Sequence, residues 1–414
     1  MTKILHISTH DTGGAGLAAL RLHLALLDQG IDSKMLVAEK KSNINSVIIA
    51  NESTINKYIP PKNSIIRFFK VCLRKIGIGI TKFEIIKGKV SQLQKKYPVI
   101  YSYPISSYEL HKHPLVQDAD LIHLHWIENF VDFETFFTNI NKPIVWTFHD
   151  LNPMFGGFHH FRKRQNYYKY YKDIEDYLYD IKVKSIAKAV NLNIVAISDQ
   201  MKHLIETSEL YKKYNTSLIH NSVDGSKFKL FEKEIIRKTL CLPEDKKILL
   251  FVNTYLNDSE KGLETAISAI NSLHLTDILL VCVGEGVIPE CECTTIQFHS
   301  VQDSIWLSML YSAADLLIFP SFQEAFAQTP LEALCCGTPV VITPVSGAKD
   351  IINYNNGVIS KDYSPENFAK SIMTALSKNY DSNMLRSYVL NNYNPQRIAQ
   401  LYSDLYYSVL KNNK

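Results

Sequence analysis

Short apolar segments alternate with longer amphipathic segments through both halves of the chain. The apolar segments are rich in β-branched residues, which favour strands. They are Ile4–Ser8, Lys34–Ala38, Leu121–His125, Ile144–Phe148 and Ile194–Ser198 in the first half, and Ile248–Val252, Ile278–Val283, Thr295–Phe298, Leu316–Phe319 and Val340–Thr343 in the second. Strands that alternate with helices form parallel sheets with helices on both faces. The pattern therefore predicts an α/β fold of doubly wound parallel sheets.

The length of the chain and one polar segment predict two domains. At 414 residues the chain is too long for one ordinary core. The strand-like segment Ser217–Val223 gives way to the polar residues Asp224–Lys227, and we place the boundary there. We predict an N-terminal domain (1–223), a C-terminal domain (224–388) and a final segment (389–414) whose amphipathic helix, roughly Pro395–Leu410, packs back toward the first domain. Two domains imply a cleft between them.

The composition is that of a folded protein with reduced cysteines. Hydrophobic residues make up 46% of the chain and charged residues 21%. The segment Met1–Ile7 lacks the charged and apolar parts of a signal region, and no apolar run is long enough to span a bilayer, so we expect a cytoplasmic protein. Cys291 and Cys293 are too close together for a zinc knuckle and lack a second pair, so we expect no metal.

Positive charge is concentrated between Pro61 and Tyr97, where Glu84 is the single acid. The basic residues there are interleaved with apolar ones such as Ile65 and Phe68. This stretch predicts a peripheral contact with anionic membrane, each basic residue contributing about 1 kcal/mol. A solvated insertion whose apolar side packs on the domain is the alternative. Since no nucleic-acid-binding motif accompanies it, we expect no nucleic-acid partner.

A glycine-rich turn follows the first predicted strand. Gly13, Gly14 and Gly16 lead directly into a helix, so backbone N–H groups can approach a phosphate or an acceptor closely. The same residues match a G-x-G-x-x-A dinucleotide turn, with Glu39 where a ribose-binding acid is expected. We favour the first interpretation, because the residues between Ser8 and Gly13 would hold a dinucleotide too far from the sheet.

Histidines mark the ends of two later strands. We expect His123 and His125 to point to opposite faces of their strand, which would prevent both from binding one metal. One of them is then structural. His149 lies beside Asp150 where a strand opens into a loop, a position from which it can donate to a substrate or serve as a structural residue.

Two carboxylates flank the turn between a strand and a helix in the second half. Glu324 lies in the polar loop, where a carboxylate can bind sugar hydroxyls and stabilise positive charge at a sugar carbon. Glu332 has a structural alternative, because Thr329-x-x-Glu332 with Pro330 at the first helical position matches a capping box. Lys261 follows another strand and can neutralise a leaving diphosphate, or it is an exposed lysine at a helix start.

These motifs, in this order, resemble the retaining glycosyltransferase family 4, whose members share the GT-B fold of two facing Rossmann-like domains with an interdomain cleft. The resemblance covers essentially the whole chain. Its most specific part is Glu324-x7-Glu332-Ala333 followed by Cys336-Gly337-Thr338-Pro339. The other matching motifs are Gly13-Gly14, Thr147-Phe148-His149, Ile219–Asp224 with Phe228, and Lys261-Gly262.

The resemblance implies a role for each candidate residue. Glu324 would act on the donor sugar and His149 at the reacting centre, as the catalytic residues. Lys261 would contact the diphosphate and Glu332 the ribose. The implied donor-binding residues are Lys261, Glu332, Phe326, Ala327 and Val301, with the base held by the backbone near Val301, and the implied acceptor- or phosphate-binding residues are Gly13 and Gly14.

The resemblance also implies the reaction. It predicts a hexosyltransferase that uses a UDP- or GDP-linked sugar, needs no cofactor and no metal, and transfers to a glycan or lipid-linked saccharide in cell-surface polysaccharide biosynthesis at the inner face of the membrane. Lysine and a helix N-terminus would replace the divalent ion, and the leaving phosphate would accept the proton of the acceptor.

The chain departs from the family pattern at two places. Tyr255 stands where the family usually has an arginine, and Phe158-His159-His160 stands where similar relatives have cysteines. Two other functions fit some residues: an NAD-dependent oxidoreductase that uses Gly14, Gly16 and Glu39, and a non-catalytic module that binds nucleotide sugars. The pair of carboxylates favours sugar transfer, because hydride transfer has no use for it.

Overall fold

The computed structural model describes residues 2–50, 81–299, 301 and 303–412. It divides into two compact units. The first comprises residues 1–196, 202–217 and 402–414, and the second comprises 197–201 and 218–401. The main division thus follows Ser217, whereas the sequence analysis placed it after Val223. Residues 61–80 of the predicted membrane-contact stretch, among them Arg67 and Lys70, lie outside the described residues.

The first unit is built on a seven-stranded sheet with the order β3-β2-β1-β4-β5-β6-β7. The pairs β3–β2, β2–β1, β1–β4, β4–β5 and β5–β6 are parallel. The strands are β1 (Lys3–His10), β2 (Asp32–Glu39), β3 (Val47–Ile49), β4 (Leu121–Leu124), β5 (Ile144–Phe148), β6 (Leu192–Ala196) and β7 (Asn215–Leu218). The strand order reverses between β1 and β4, which makes the carboxyl ends of these two strands the expected binding point of this sheet.

Helices of the first half follow most of these strands. They are α1 (Gly13–Asp28), α2 (Lys82–Lys96), α3 (Pro114–Asp118), α4 (Phe133–Asn139), α5 (Phe161–Ile186) and α6 (Asp199–Thr207). Short 3-10 turns occur at Leu110–Lys112 and Asn152–Met154. Helix α1 ends before Gly30, whose left-handed φ of 78° stops the helix.

The second unit is built on a six-stranded sheet with the order β10-β9-β8-β11-β12-β13, and all of its pairs are parallel. Its strands are β8 (Lys247–Tyr255), β9 (Ile278–Glu285), β10 (Thr294–Phe298), β11 (Leu316–Phe319), β12 (Val340–Ile342) and β13 (Gly357–Ile359). The order reverses between β8 and β11. This sheet therefore has its own expected binding point, after these two strands.

Helices of the second half cover both faces of this sheet. They are α7 (Lys233–Thr239), α8 (Leu263–Asn271), α9 (Ser304–Ala313), α10 (Gln328–Cys335), α11 (Ala348–Ile351), α12 (Pro365–Leu376), α13 (Ser382–Tyr393) and α14 (Pro395–Lys411), with a 3-10 turn at Ser259–Lys261. Buried side chains of α8 and α12, such as Ile267 and Phe368, pack in one core with Leu249 and Leu280 of the sheet. Among the described residues, no helix combines the length and the apolar run needed to cross a membrane.

The hydrophobic pattern found every strand named above except three short ones. β3, β7 and β13 span only three or four residues each, too few to show a clear period. In place of β7 the sequence suggested a strand-like segment from Ser217 to Val223, which lies mostly beyond the observed strand. The prediction of doubly wound parallel sheets is confirmed.

Candidate functional site

The loop after β8 and the loop after β11 meet at the point where the second sheet reverses its strand order. The backbone N–H of Phe322 donates to the carbonyl of Glu260 at 2.9 Å, and the Ser321 hydroxyl donates to the same carbonyl at 3.2 Å. Gly262 has a left-handed φ of 73°, and a Cβ there would collide with the carbonyl of Pro320. These contacts hold the turn that carries Lys261 against the loop that carries Glu324.

Lys261 and Glu324 form an ion pair at this meeting point. The Lys261 Nζ lies 2.7 Å from the Glu324 Oε1, and the Ser321 hydroxyl donates to that same oxygen at 2.7 Å. The Lys261 side chain is 29% exposed and the Glu324 side chain 14%, so both remain accessible to a ligand. The structure thus brings together two residues that the sequence predicted separately, and adds Ser321, which the sequence analysis did not name.

Glu332 contacts a tyrosine, and its helix begins before the cap that the sequence motif predicted. Helix α10 begins at Gln328 after Ala327, which makes no side-chain capping bond, so Thr329 already lies inside the helix. The capping-box alternative is therefore wrong, because the helix starts earlier than the motif suggested. The Tyr311 hydroxyl donates to the Glu332 Oε2 at 3.1 Å, while burial, followed by the charge of Glu332, raises the Tyr311 pKa well above its usual value.

The remaining predicted donor-site residues are less accessible. Ala327 is completely buried and Phe326 is 6% exposed. The Phe326 ring stacks on that of His220, with 5.5 Å between the ring centroids. Val301 is half-buried. Their contact with a donor stays a prediction, as does the role of Tyr255, which is exposed at the end of β8.

A pocket of about 290 Å³ opens at the carboxyl ends of the central strands of the first sheet. It is lined by Gly13 to Gly16 at the start of α1 and by His10, Trp126, His149 and Asp150. Thr12, the described residue before α1, makes no side-chain capping bond, and no residue of the described first turn is acidic. The positive end of the helix dipole therefore lies at the pocket, where it favours a negatively charged group.

The glycines of this turn differ in what they do. Gly13 has a left-handed φ of 71°, and a Cβ at Gly16 would lie 2.6 Å from the carbonyl oxygen of His10. A Cβ at Gly14 would meet no described atom within 4 Å. Gly13 and Gly16 therefore shape the backbone, whereas Gly14 leaves open space beside the pocket.

The spacing between β1 and α1 is shorter than the sequence predicted. β1 continues to His10, so only Asp11 and Thr12 separate the strand from α1, and the spacing no longer excludes a dinucleotide turn. Glu39, the proposed ribose-binding acid, lies opposite His10, and its Oε2 is 3.4 Å from the His10 Nδ1.

The prediction that His123 and His125 point to opposite faces is also wrong. Residues two apart on a strand share a face, and the ring centroids of these two lie 4.0 Å apart. With His6 of β1 they form a buried cluster whose ring nitrogens lie within 4.8 Å of one another. A metal bound there would have to displace existing hydrogen bonds: His123 contacts Tyr406 and Thr147 at 2.6 and 2.8 Å, and His125 contacts His6 and His149 at 2.9 and 3.1 Å.

Asp150 anchors a buried polar network behind the pocket. Its Oδ2 accepts from the Trp126 indole at 2.9 Å and lies 2.6 Å from the His159 Nδ1. The His159 Nε2 lies 2.8 Å from the Ser102 hydroxyl. This connectivity matches a serine hydrolase triad, but Ser102 is only 2% exposed and cannot reach a substrate. Although burial alone would raise it, the pKa of Asp150 is lowered to about 2, chiefly by His159.

The loop after His149 is held from helix α5. The Glu175 carboxylate accepts from the backbone N–H groups of Gly156 and Gly157 at 2.9 and 2.8 Å, and the Lys182 Nζ donates to the Asn152 carbonyl at 2.6 Å. Buried residues on one side of α5, such as Tyr171 and Leu178, show that this side of the helix packs on its domain.

Comparison with known proteins finds a family model that matches part of the second half of the chain. Residues 232–392 match the model described as Glycosyl transferases group 1. These residues form a group 1 glycosyltransferase domain. Lys261, Glu324 and Glu332 all lie in this glycosyltransferase domain, so the resemblance inferred from their motifs is confirmed at the level of this group.

Two curated relatives illustrate the similarity. An uncharacterised glycosyltransferase of Methanocaldococcus jannaschii is 27% identical over 216 residues, which are 48% of this chain and 53% of that protein. The lipopolysaccharide glucosyltransferase WaaG of Escherichia coli is 31% identical over 159 residues, which are 35% of this chain and 41% of that protein. This chain spans about half the length of the curated relatives it matches.

Solved structures are similar over the whole chain. Sucrose-phosphate synthase from Thermosynechococcus elongatus has a TM-score of 0.64 at 18% identity, covering 100% of both chains. Anabaena HepE, solved in complex with UDP and glucose, has a TM-score of 0.63 at 15% identity, covering 99% of this chain and 100% of that chain. Together with the two parallel-sheet domains, this likeness confirms the predicted GT-B fold.

Proposed function

We propose that this protein is a retaining glycosyltransferase that moves a hexose from a UDP- or GDP-linked donor to a glycan or a lipid-linked saccharide. The observation that carries the proposal is the contact between Lys261 and Glu324 inside the group 1 glycosyltransferase domain. A neighbouring cation and carboxylate can bind two different parts of a nucleotide sugar. The lysine suits the diphosphate, and the carboxylate suits the sugar hydroxyls.

The proposed roles extend this arrangement residue by residue. Lys261 neutralises the leaving diphosphate, and its present partner Glu324 turns to the sugar, where its charge stabilises the developing positive charge at the sugar carbon. Glu332, oriented by Tyr311, binds the ribose. In the first domain, Gly13 and Gly14 contact a phosphate or the acceptor, and His149 acts at the reacting centre. The leaving phosphate accepts the proton of the acceptor.

The proposal needs no metal ion and no further cofactor. Lys261 and the start of a helix supply the positive charge that a divalent ion supplies elsewhere. A place in cell-surface polysaccharide biosynthesis is supported by the similarity to a lipopolysaccharide glucosyltransferase. Our proposal includes sugar transfer in the cytoplasm, at the inner face of the membrane. Likeness to HepE, solved with UDP and glucose, supports a uridine nucleotide as the first donor to test.

Thermal unfolding with nucleotides tests the donor class. A ligand that binds the folded state stabilises it by RT ln(1 + [L]/Kd), or about 2.7 kcal/mol at a hundred times Kd. We expect UDP or GDP to raise the melting temperature and NAD to leave it unchanged. Stabilisation by NAD alone would favour the oxidoreductase that Gly14, Gly16 and Glu39 allow. A panel of nucleotide sugars assayed for nucleotide release then separates a transferase from a non-catalytic binding module, which would bind and release nothing.

A further inference from the structure

Three histidines form a continuous hydrogen-bonded line from the core of the first unit to its pocket. The His6 Nδ1 lies 2.9 Å from the His125 Nε2, and the His125 Nδ1 lies 3.1 Å from the His149 Nε2. His6 and His125 are 0% and 3% exposed, whereas His149 is half-buried and lines the pocket. The line therefore joins an enclosed end to an end that a ligand can reach.

All three rings are neutral at physiological pH. Burial, followed by the neighbouring histidines, holds the pKa of His6 and of His125 well below the usual value. Burial lowers the pKa of His149 to about 4. The charge of Asp150 acts to raise this pKa, and the charge of Arg21 acts to lower it. A neutral imidazole has one N–H and one bare nitrogen. Each ring in the line can therefore donate through only one of its two nitrogens.

Neutral rings allow only two arrangements in which both hydrogen bonds form. In the first, His6 donates to His125 and His125 donates to His149, so every ring carries its hydrogen on Nδ1. In the second, His149 donates to His125 and His125 donates to His6, so every ring carries its hydrogen on Nε2. His123 lies beside the line, with its ring centroid 4.0 Å from that of His125. It does not enter the line, because Tyr406 and Thr147 occupy both of its nitrogens.

The enclosed end distinguishes the two arrangements. The His6 Nε2 is buried and has no hydrogen-bonding partner in the described part of the chain. In the second arrangement this nitrogen would be an N–H without an acceptor, whereas in the first it is a bare nitrogen without a donor. Folded proteins rarely bury an unpaired N–H and tolerate an unpaired acceptor more readily, so the first arrangement is favoured.

We propose that His6 and His125 are positioning residues that keep the hydrogen of His149 on Nδ1. The hydrogen bond from His125 occupies the His149 Nε2, so the nitrogen left for a ligand is a donor. His149 then donates a hydrogen bond to an oxygen of the ligand, such as a sugar hydroxyl or a phosphate oxygen, and does not act as a base. The role of this hydrogen bond in catalysis rests on the proposed function, but the position of the hydrogen on His149 does not.

Nitrogen NMR of the unliganded protein tests the position directly. In protein labelled with ¹⁵N-histidine, long-range proton–nitrogen correlations distinguish a protonated ring nitrogen from a bare one, and His149→Gln identifies the His149 signals by their loss. We expect a protonated Nδ1 and a bare Nε2 on His149 in the wild type. A protonated Nε2 would overturn the proposal, and this measurement does not need an active enzyme.

Variants of His125 then test whether the hydrogen-bonded line keeps the hydrogen of His149 on Nδ1. His125→Phe keeps a ring but removes both nitrogens, so we expect His149 to shift toward the Nε2–H form that imidazole prefers in water. His125→Asn keeps an amide N–H near the place of Nδ1 and should restore the Nδ1–H form. His23→Gln is the control, because His23 is buried and bonds to Ser33 and Ser46 outside the line. An unchanged His149 signal in folded His125→Phe would overturn the positioning role.

Kinetics separate this proposal from the proposed function. In His125→Phe we expect kcat to fall by about ten- to a hundredfold with little change in KM for the donor, and in His125→Asn to stay within a few fold of the wild type. If no nucleotide sugar is turned over by the wild type, the proposed function fails while the NMR result still decides the position of the hydrogen. The His149 signal could shift in His125→Phe while kcat stays equal to that of the wild type. That result would show that the donor form of His149 has no role in transfer, and it would overturn the catalytic part of the proposal.

Discussion

Glu324 and Glu332 lie close together in the chain, yet they contact different groups. Glu324 is paired with the cation of Lys261 at 2.7 Å, and Glu332 accepts from the neutral hydroxyl of Tyr311 at 3.1 Å. Replacing Glu324 therefore leaves a cation without its partner, whereas replacing Glu332 removes the acceptor of a buried hydroxyl. The two residues should respond to mutation in different ways.

Replacing each carboxylate separates the proposed roles. Glu324→Ala should lower kcat strongly while UDP or GDP binds as well as before or better, because Lys261 becomes available to the diphosphate. Glu332→Gln keeps an oxygen for Tyr311 but loses the charge, so we expect nucleotide binding to weaken by about 1–3 kcal/mol with stability nearly unchanged. Calorimetric titration and melting curves measure both. Wild-type transfer rates in both variants would contradict this site.

Glu128 provides a pH-dependent prediction. Its Oε2 is buried without a partner in the described part of the chain, and burial, followed by the charge of Asp150, raises its pKa to about 7 from 4.5. The folded state thus holds a proton that the unfolded state releases. The resulting contribution to stability is present in full below about pH 4.5 and is lost as the pH rises through about 7. Each unit of difference between the folded and the unfolded pKa is worth about 1.4 kcal/mol. The stability difference between the wild type and Glu128→Gln should follow this curve. A difference that does not change with pH would contradict it.

At the scale of elements, helix α1 and helix α2 present different surfaces. The start of α1 combines an uncapped first turn with glycines beside the pocket. Helix α2 begins with a capping box between Thr81 and Glu84 and packs Ile86 and Val90 on the domain. The apolar side of α2 thus packs on the domain, as expected for a solvated insertion. The lysines of α2 remain exposed and available to anionic lipid.

A glycine series tests the start of α1. Gly14→Ala should leave stability unchanged or slightly higher, because the added methyl group meets no described atom within 4 Å, and it should still reduce ligand binding in the pocket. Gly13→Ala should lose about 1–2 kcal/mol to its left-handed backbone, and Gly16→Ala about 1–3 kcal/mol to contact with His10. Melting curves and binding titrations distinguish the three. Full binding by Gly14→Ala would mean that no ligand approaches this glycine.

Liposome flotation tests the exposed lysines of α2. Each basic residue near anionic lipid contributes about 1 kcal/mol, so neutralising four should weaken binding by about two to three orders of magnitude at low salt. The test variant replaces Lys87, Lys89, Lys95 and Lys96 with Gln. The control variant replaces four exposed lysines of the second domain, Lys229, Lys238, Lys361 and Lys370. If the wild type never floats, or both variants float equally, α2 is a solvated surface only.

At the scale of the whole molecule, each sheet has its candidate residues where its strand order reverses. Lys261 and Glu324 follow β8 and β11 in one sheet, and the pocket residues follow β1, β4 and β5 in the other. Asp118 and Asp120, an Asp-x-Asp pair of the kind that holds divalent ions, precede β4 at the opposite end, and both contact Lys3. Neither candidate site therefore includes this pair.

Chelation tests the metal-free mechanism. Because Lys261 can neutralise the leaving diphosphate, we expect EDTA to change the rate of transfer by less than about twofold. The assay should compare EDTA-treated enzyme with the same enzyme after adding back magnesium or manganese. Loss of activity on chelation that either ion restores would refute the mechanism, and loss that neither ion restores would indicate inactivation by the treatment.

The sequence by itself determined the type of fold and the position of the candidate residues along the chain. Hydrophobic periodicity is a local property, so it predicted strands such as β5 and β9, and it missed β3, β7 and β13, which are too short to show a period. The Glu324-x7-Glu332 motif and its neighbours are likewise local, and they were enough to predict the glycosyltransferase group.

Only the tertiary structure decided which of these residues meet. Lys261 and Glu324 are far apart in the chain and come together because β8 and β11 are neighbours in the sheet. The line from His6 through His125 to His149 depends in the same way on the pairing of β1 with β4 and of β4 with β5. Such contacts depend on strand order and register, which no local pattern specifies, because the same apolar strand can pair with several neighbours. For that reason the sequence could place His149 at a strand end but could not show what holds its ring.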